Sequence, residues 1–595
     1  MSNSEKKEIG REFRFAVHIP APTKDEDDFH FVKEQVHYEE NGIKTVEPTL
    51  RLVKNFLRPI WYTKPNLRTH KDRREFEKLE NLNMVMVRQS DVKDSLSKSI
   101  GKGYFNPRSS IRDLAAQPYA YGADVPSTVF LRETNYIKKW PGLSTARTVA
   151  MLDTESDVVD GTKQINIVTT CFKNKALIVV QKDFIKGFSN PKELFEQAVK
   201  KHLQKYIDEN NLEIQFVIGE SEIDIIKMAF AQIHEWRPDF LAIWNINWDI
   251  PLILKACKDA GVDPRDILCD KGVPEHLRRC KYIEGITSKE SASGVHQTIK
   301  PANQWHVLEL TASFSVICAM AAYRRVRGGA ELPSYSLDAI LKREEIGKGK
   351  INLPEAEKFK KLKWHQFMQT MRKFDYMAYA IFDSYSMVML DEKTKDISIQ
   401  LPLFADNTSM SDYSSQSRRQ RDNFFLFGLT KGIILGTAGP VKKKEIVKFV
   451  KKKEDEDFDG EDEENDGDGD PTTLNAKNWV ITLRAFMSAP GLALISEDSN
   501  ITTLIRTHCY DNDVVSSYPN CTFVGNVSKY TTILEITGIK WSDETMPELT
   551  YRMQNLNYAF GRTNHAEYVQ RMFRAPNYVE LREMMREDLA KKEMH

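Results

Sequence analysis

Thr148-Val149-Ala150-Met151-Leu152-Asp153-Thr154-Glu155 decides how the rest of the chain is read. An apolar, strand-like run ends in an Asp-x-Glu pair. Residues two apart on a strand share a face, so the carboxylates of Asp153 and Glu155 point the same way. Two adjacent carboxylates repel unless a cation lies between them. At the end of a strand that would otherwise be core, the pair points to a divalent-metal site.

Outward from that stretch, residues 146–390 show the clearest pattern. β-Branched, apolar runs at 147–153, 164–172, 175–181, 214–219 and 239–245 predict strands, the first three joined by short turns. Pro191 to Asp208 and Glu220 to Trp236 place apolar residues on one stripe and predict amphipathic helices. A three-stranded meander followed by alternating helices and strands implies an α/β domain, a mixed sheet with helices packed on it.

The flanks are less regular. Residues 1–145 predict a mixed α/β domain, with Arg73, Arg74 and Lys78 on a charged helix that is either a solvated face or a nucleic-acid contact. Residues 391–475 predict a connector, Ser- and Asp-rich around Asn407 to Gln416, then a helix from Phe424 to Gly436 that ends at glycine. Within it, Glu454 to Asp470 is acidic and of low complexity, and cannot bury enough apolar surface to fold. Its Asp-x-Asp spacing lacks the terminal Glu of an EF-hand loop. Residues 476–595 predict a further ordered domain with a charged helical tail.

Two more carboxylates sit in defined settings. Asp249 follows a strand (Leu241 to Asn245) through a polar turn, Asn245-Ile246-Asn247-Trp248-Asp249, with a helix expected from Pro251. Alone, it reads equally as a helix N-cap. Asp383 lies in Tyr376-Met377-Ala378-Tyr379-Ala380-Ile381-Phe382-Asp383. Tyr379 and Asp383 are four apart and share a helix face. Asp383 is either a surface residue or a buried acid that needs a cation. Together, three or four carboxylates suit phosphodiester hydrolysis by two cations about 3.5–4 Å apart. A tyrosine hydroxyl beside the last Asp could orient the attacking water.

Composition narrows the setting. The chain has 595 residues, 41% of them hydrophobic, enough for several cored domains. With 85 basic and 85 acidic side chains, net charge neither supports nor excludes nucleic-acid binding, which local patches decide. Cysteines 171, 257, 269, 280, 318, 509 and 521 form no CxxC pair, so neither a zinc knuckle nor a disulfide framework is expected. No apolar run reaches the ~18 residues of a membrane span, and Met1 to Arg14 has no signal-peptide core. A soluble protein of a reducing compartment, the cytoplasm, is expected.

In order, strand Asp153-x-Glu155, then strand, turn and Asp249, then helical Tyr379-x-x-x-Asp383, the three segments resemble the Exo I, Exo II and Exo III motifs of the 3′–5′ proofreading exonuclease of family-B DNA polymerases. The stretch Leu332-Pro333-Ser334-Tyr335-Ser336-Leu337-Asp338, followed by Gly347-Lys348-Gly349-Lys350, is similar to the text before Exo III in bacteriophage members. The resemblance implies a ribonuclease H-like fold. It carries metal-ligand roles onto Asp153, Glu155, Asp249 and Asp383, and a water-orienting role onto Tyr379. The family usually reads Asn-x-x-x-Phe-Asp in Exo II; here Asn245 is one residue closer and Trp248 replaces Phe. An all-oxygen site suits Mg²⁺ or Mn²⁺. A viral chain would work in the host cell cytoplasm.

Further on, Asp513-x-x-Ser516-Ser517-Tyr518-Pro519 resembles polymerase motif A of the same family, with Ser517 in place of Leu. The resemblance gives Asp513 both catalytic metals of synthesis, and places Ser516 and Tyr518 at the incoming nucleotide. Motifs B and C are not found. Met553 to Gly561 is nearest to motif B but lacks its Lys, and only about 75 residues follow Tyr518. The expectation is therefore a partial palm: the first part of a split polymerase that binds single-stranded 3′ ends and primer–template DNA, with a partner chain supplying motifs B and C. The alternatives are a free-standing exonuclease with a vestigial palm and a non-catalytic assembly subunit.

Overall fold

In the computed structural model, described over residues 6–70, 74, 76–101, 117–290, 296–327, 332–346, 359, 362–436, 532–542 and 545–555, the Asp-x-Glu strand runs through the middle of a large sheet. In chain order the strands of this sheet are β1 (Val149–Ser156), β2 (Ile165–Phe172), β3 (Lys175–Gln181), β4 (Glu213–Gly219), β5 (Phe240–Ile243), β6 (Cys280–Ile283), β7 (Val307–Leu310) and β8 (Ser315–Cys318). Their spatial order is β4-β3-β2-β1-β5-β8-β7-β6. The meander β1-β2-β3 is antiparallel, whereas β4 runs parallel to β3, and β5 parallel to both β1 and β8. The fold is mixed α/β, as the alternation of patterns predicted; the sheet has eight strands, the five predicted and three more, β6, β7 and β8.

The helices that bear on the acidic strand and its neighbours are α1 (Pro191–Asn210), α2 (Glu222–Trp236), α3 (Ile246–Asp259), α4 (Leu362–Met371) and α5 (Lys373–Thr394). Ser221 caps α2 through its side chain, which accepts from the Asp224 N–H. Helix α5 is buried on nearly every side, with an unbroken buried run from Tyr376 to Val388, and packs on α1, β1 and β2. A single apolar cluster joins the sheet to these helices, including Leu152, Ile167, Ile226, Leu241, Ile250 and Ile381.

Contacts divide the chain into two units, Met1–Val441 and Lys442–His595. The expected divisions at 145 and 390 fall inside the first. There, strands Lys7–Ile19, Phe29–Glu40 and Ile43–Lys54 form an antiparallel sheet, joined to the core through buried charge. Lys33 Nζ donates to the Arg237 carbonyl at 2.9 Å and lies 3.0 Å from Asp239 Oδ1. Arg14 Nε approaches the same oxygen at 3.6 Å, while the Thr148 N–H donates to Asp239 Oδ2 at 2.9 Å. Asp239 thus ties the N-terminal sheet to the starts of β1 and β5. The second unit is described only by the antiparallel pair Thr532–Ser542 and Thr545–Asn555, which takes in Met553.

Three local expectations are corrected. No charged helix contains Arg74 and Lys78. Lys78 lies in strand Phe76–Lys78, which pairs with Ile433–Leu435, Arg74 is outside any helix, and Arg73 lies outside the described residues. The pairing, with Arg74 Nη1 donating to the buried Glu77 Oε2 at 2.7 Å, outweighs the local charge pattern. The connector helix spans Gln416–Thr430 rather than Phe424 to Gly436. Gly432, at φ +72°, turns the chain, and β-branched Ile433 and Ile434 enter the strand. Helix α3 starts at Ile246, with Pro251 inside it rather than opening it. Among the described residues, no helix is long and apolar enough to cross a membrane.

Candidate metal centre

Alternation along β1 buries Thr154 and leaves Asp153 and Glu155 half-buried on the other face. Helix α5 brings the buried Asp383 to them. One carboxylate oxygen from each of Asp153, Glu155 and Asp383 lies within 4.8 Å of the others. The helix is pinned in register at this level: the Thr169 hydroxyl, on the β2 residue paired with Asp153, donates to the Ala380 carbonyl at 3.2 Å and meets Ser384 Oγ.

Asp249 is near the cluster but outside it. Parallel pairing aligns Ile243 of β5 with Leu152 of β1, so the chain beyond β5 emerges beside Asp153 to Glu155. Asp249, in the first turn of α3, accepts from the Thr154 N–H at 3.1 Å and the Thr154 hydroxyl at 2.6 Å. Its carboxyl is therefore fastened to the strand residue between the two acids. Burial pushes its pKa up to about 7, against the opposing pull of the Thr154 bonds. The N-cap position of α3 belongs to Asn245, not Asp249.

Tyr379 is buried beside Asp383. Burial first, then the charges of Asp383 and Glu155, hold its pKa well above the ordinary phenol value, so it stays a proton donor. A second tyrosine, which the motif spacing did not single out, stands one turn earlier. Tyr376 Oη donates to Glu155 Oε2. The two phenol rings stack with centroids 5.7 Å apart and 7° between planes, and Trp364 of α4 packs on Tyr379 at 4.8 Å. His365 Nδ1 lies 2.9 Å from Tyr376 Oη and 3.9 Å from Glu155 Oε2. The signal for Tyr376 was present: 376, 379 and 383 follow the i, i+3, i+7 spacing of one helix face.

The turn after β5 carries the rest. Trp248 is 55% exposed beside Asp249. Asn247 Oδ1 accepts from Tyr282 Oη of β6 at 2.7 Å, fixing that side chain to the sheet. Ahead of α4, Ser336 caps the helix Leu337–Arg343, its Oγ accepting from the Ala339 N–H; Gly347 to Lys350 lie outside the described residues. So do Asp513, Ser516 and Tyr518, the acidic run 454–470 and the tail.

The donors converging here are all carboxylate oxygens, the set hard divalent cations prefer. Oxygens held by one Mg²⁺ at about 2.0–2.1 Å stand no more than about 4.2 Å apart, so three acids already within 4.8 Å of one another need only a small adjustment to share one ion. The residues fit such an ion. No family model and no curated protein matches this chain.

Proposed function

We propose that this chain is a metal-dependent 3′–5′ DNA exonuclease with a ribonuclease H-like fold, acting as the proofreading part of a family-B DNA polymerase whose synthesis site is completed by a partner chain. The convergence of Asp153, Glu155 and Asp383 within 4.8 Å carries the reading. The order β3-β2-β1-β5-β8, with β2 antiparallel to its neighbours, and helix α5 delivering its acid to the central strand suit that fold.

Asp153, Glu155 and Asp383 would hold a divalent cation, with Asp249 beside them. A bound Mg²⁺ or Mn²⁺ would lower the pKa of the attacking water and offset charge on the leaving 3′ oxygen. Tyr379, kept protonated by its surroundings, orients that water through its hydroxyl. The exposed indole of Trp248 offers a stacking surface for an unpaired terminal base, an interaction worth about 1–3 kcal/mol. In synthesis, Asp513 would act with motifs B and C of the partner, with Ser516 and Tyr518 at the nucleotide.

Asp153→Ala combined with Glu155→Ala tests this. Excision from a 3′ end should fall by at least several orders of magnitude, while single-stranded DNA binding, read by anisotropy in EDTA, stays within a few-fold of wild type. Excision at the wild-type rate would remove the site assignment.

A further inference from the structure

We infer that Tyr376 is a positioning residue, one that fixes the carboxylate of Glu155 for the cation, and that α4 holds Tyr376 and the strand end in place. This rests on the metal-centre assignment above.

A phenol has one proton to give, and Tyr376 gives it to Glu155 Oε2. Its oxygen then has lone pairs to accept with. His365 Nδ1, at 2.9 Å, and Gln369 Nε2, at 3.4 Å, both reach it from α4. The direction of the Tyr376 proton assigns the tautomer of His365: Nδ1 carries the hydrogen. The hydroxyl is thus held from two sides and aimed at one carboxylate oxygen.

The same helix clips the strand as it leaves Glu155. Gln369 Nε2 donates to the Ser156 carbonyl at 2.8 Å, and Gln369 Oε1 accepts from the Val158 N–H at 3.2 Å. Gln366 Nε2 donates to the Val158 carbonyl at 3.0 Å. Both Gln369 and Tyr376 are buried. Polar groups are buried in this way when each finds a partner; here the partners are Glu155, Ser156 and Val158, on and just past the strand that carries the metal-binding pair, together with His365 and each other. Residues one layer out from a cation orient its ligands, and their loss typically lowers metal affinity about 10–100-fold.

Tyr376→Phe removes the hydroxyl and leaves the stacked ring. Mn²⁺ binding to the full chain, followed by the EPR signal of free Mn²⁺, should weaken about ten-fold or more. The melting temperature in EDTA should move little. The half-maximal Mg²⁺ concentration for excision should rise in step, with KM for DNA unchanged. Should Tyr376→Phe fail to fold, His365→Ala and Gln369→Leu release the phenol from its other two partners, and each should weaken Mn²⁺ binding in the same direction. Unchanged Mn²⁺ affinity in the folded variants, with wild type binding normally, overturns the positioning role and leaves the centre intact. Absence of Mn²⁺ binding in wild type overturns the centre itself, and this inference with it.

Discussion

Asp249 has a cost that only its surroundings explain. It is buried and fastened to Thr154 by two hydrogen bonds, and its pKa stands at about 7, raised by burial. A carboxyl whose folded pKa is raised binds its proton more tightly when folded. Its ionisation therefore erodes stability as pH climbs from the unfolded value near 4 to about 7. Asp249→Asn keeps an oxygen for Thr154 and removes the charge. In EDTA it should melt higher than wild type at pH 8, by about 1 °C for each kcal/mol recovered in a unit of this size, with the gap closing at pH 4–5. Excision should fall steeply in the same variant. An equal melting point at both pH values would show that the charge is not penalised. At this scale the sequence was informative about the acids and about the helix face that Tyr376 shares with Tyr379 and Asp383, and silent about the bonds that orient the acids. The i, i+2 pair on a strand and the four-residue spacing of Tyr379 and Asp383 are geometric facts of the chain. The Thr154 bond to Asp249 and the Tyr376 bond to Glu155 join residues far apart in sequence, and only folding shows them.

Among the elements, β1 and β5 do the placing. Asp239 holds the starts of both: it directly precedes β5, its Oδ2 accepts from the Thr148 N–H just ahead of β1, and its Oδ1 faces Lys33 and Arg14 from the N-terminal sheet. Removing one partner of a buried ion pair typically costs about 3–5 kcal/mol, because the other charge is left uncompensated. Asp239→Ala should lose that much in denaturant unfolding. Lys255→Ala, which breaks the exposed pair with Asp259 on α3, should lose no more than about 0.5 kcal/mol. Similar losses from the two would contradict the hub role of Asp239. Strands β1 to β5 were legible because their β-branched runs are long or sit between strong helical stripes. Strands β6, β7 and β8 are four residues each, too short for a period to register, and they form through pairing with neighbours. The same pairing drew Phe76–Lys78 and Ile433–Leu435 out of segments whose local pattern favoured helix.

For the whole chain, the proposed substrate sets the response to salt. Each phosphate neutralised on a single strand contributes about −0.7 to the slope of log K against log salt. Affinity for single-stranded DNA should fall as salt is raised through the physiological range, and Trp248→Ala should weaken binding without changing that slope, because stacking releases no counterions. A slope altered by Trp248→Ala would show that the indole acts through the backbone instead. Asp513→Ala should leave excision unchanged and abolish synthesis in any complex reconstituted with a partner carrying motifs B and C. Loss of excision from this change would mean that the two chemistries are not separate.

The proposed function stands on one property: the carboxylates of β1 and α5 hold a cation for cutting DNA from its 3′ end. A 5′-labelled primer–template, incubated with the purified chain in Mg²⁺ and in EDTA, reads that property out. A ladder of labelled products shortening from the 3′ end is expected in Mg²⁺, and none in EDTA. A primer left full-length in both Mg²⁺ and Mn²⁺, or a label released first as a mononucleotide, would contradict it.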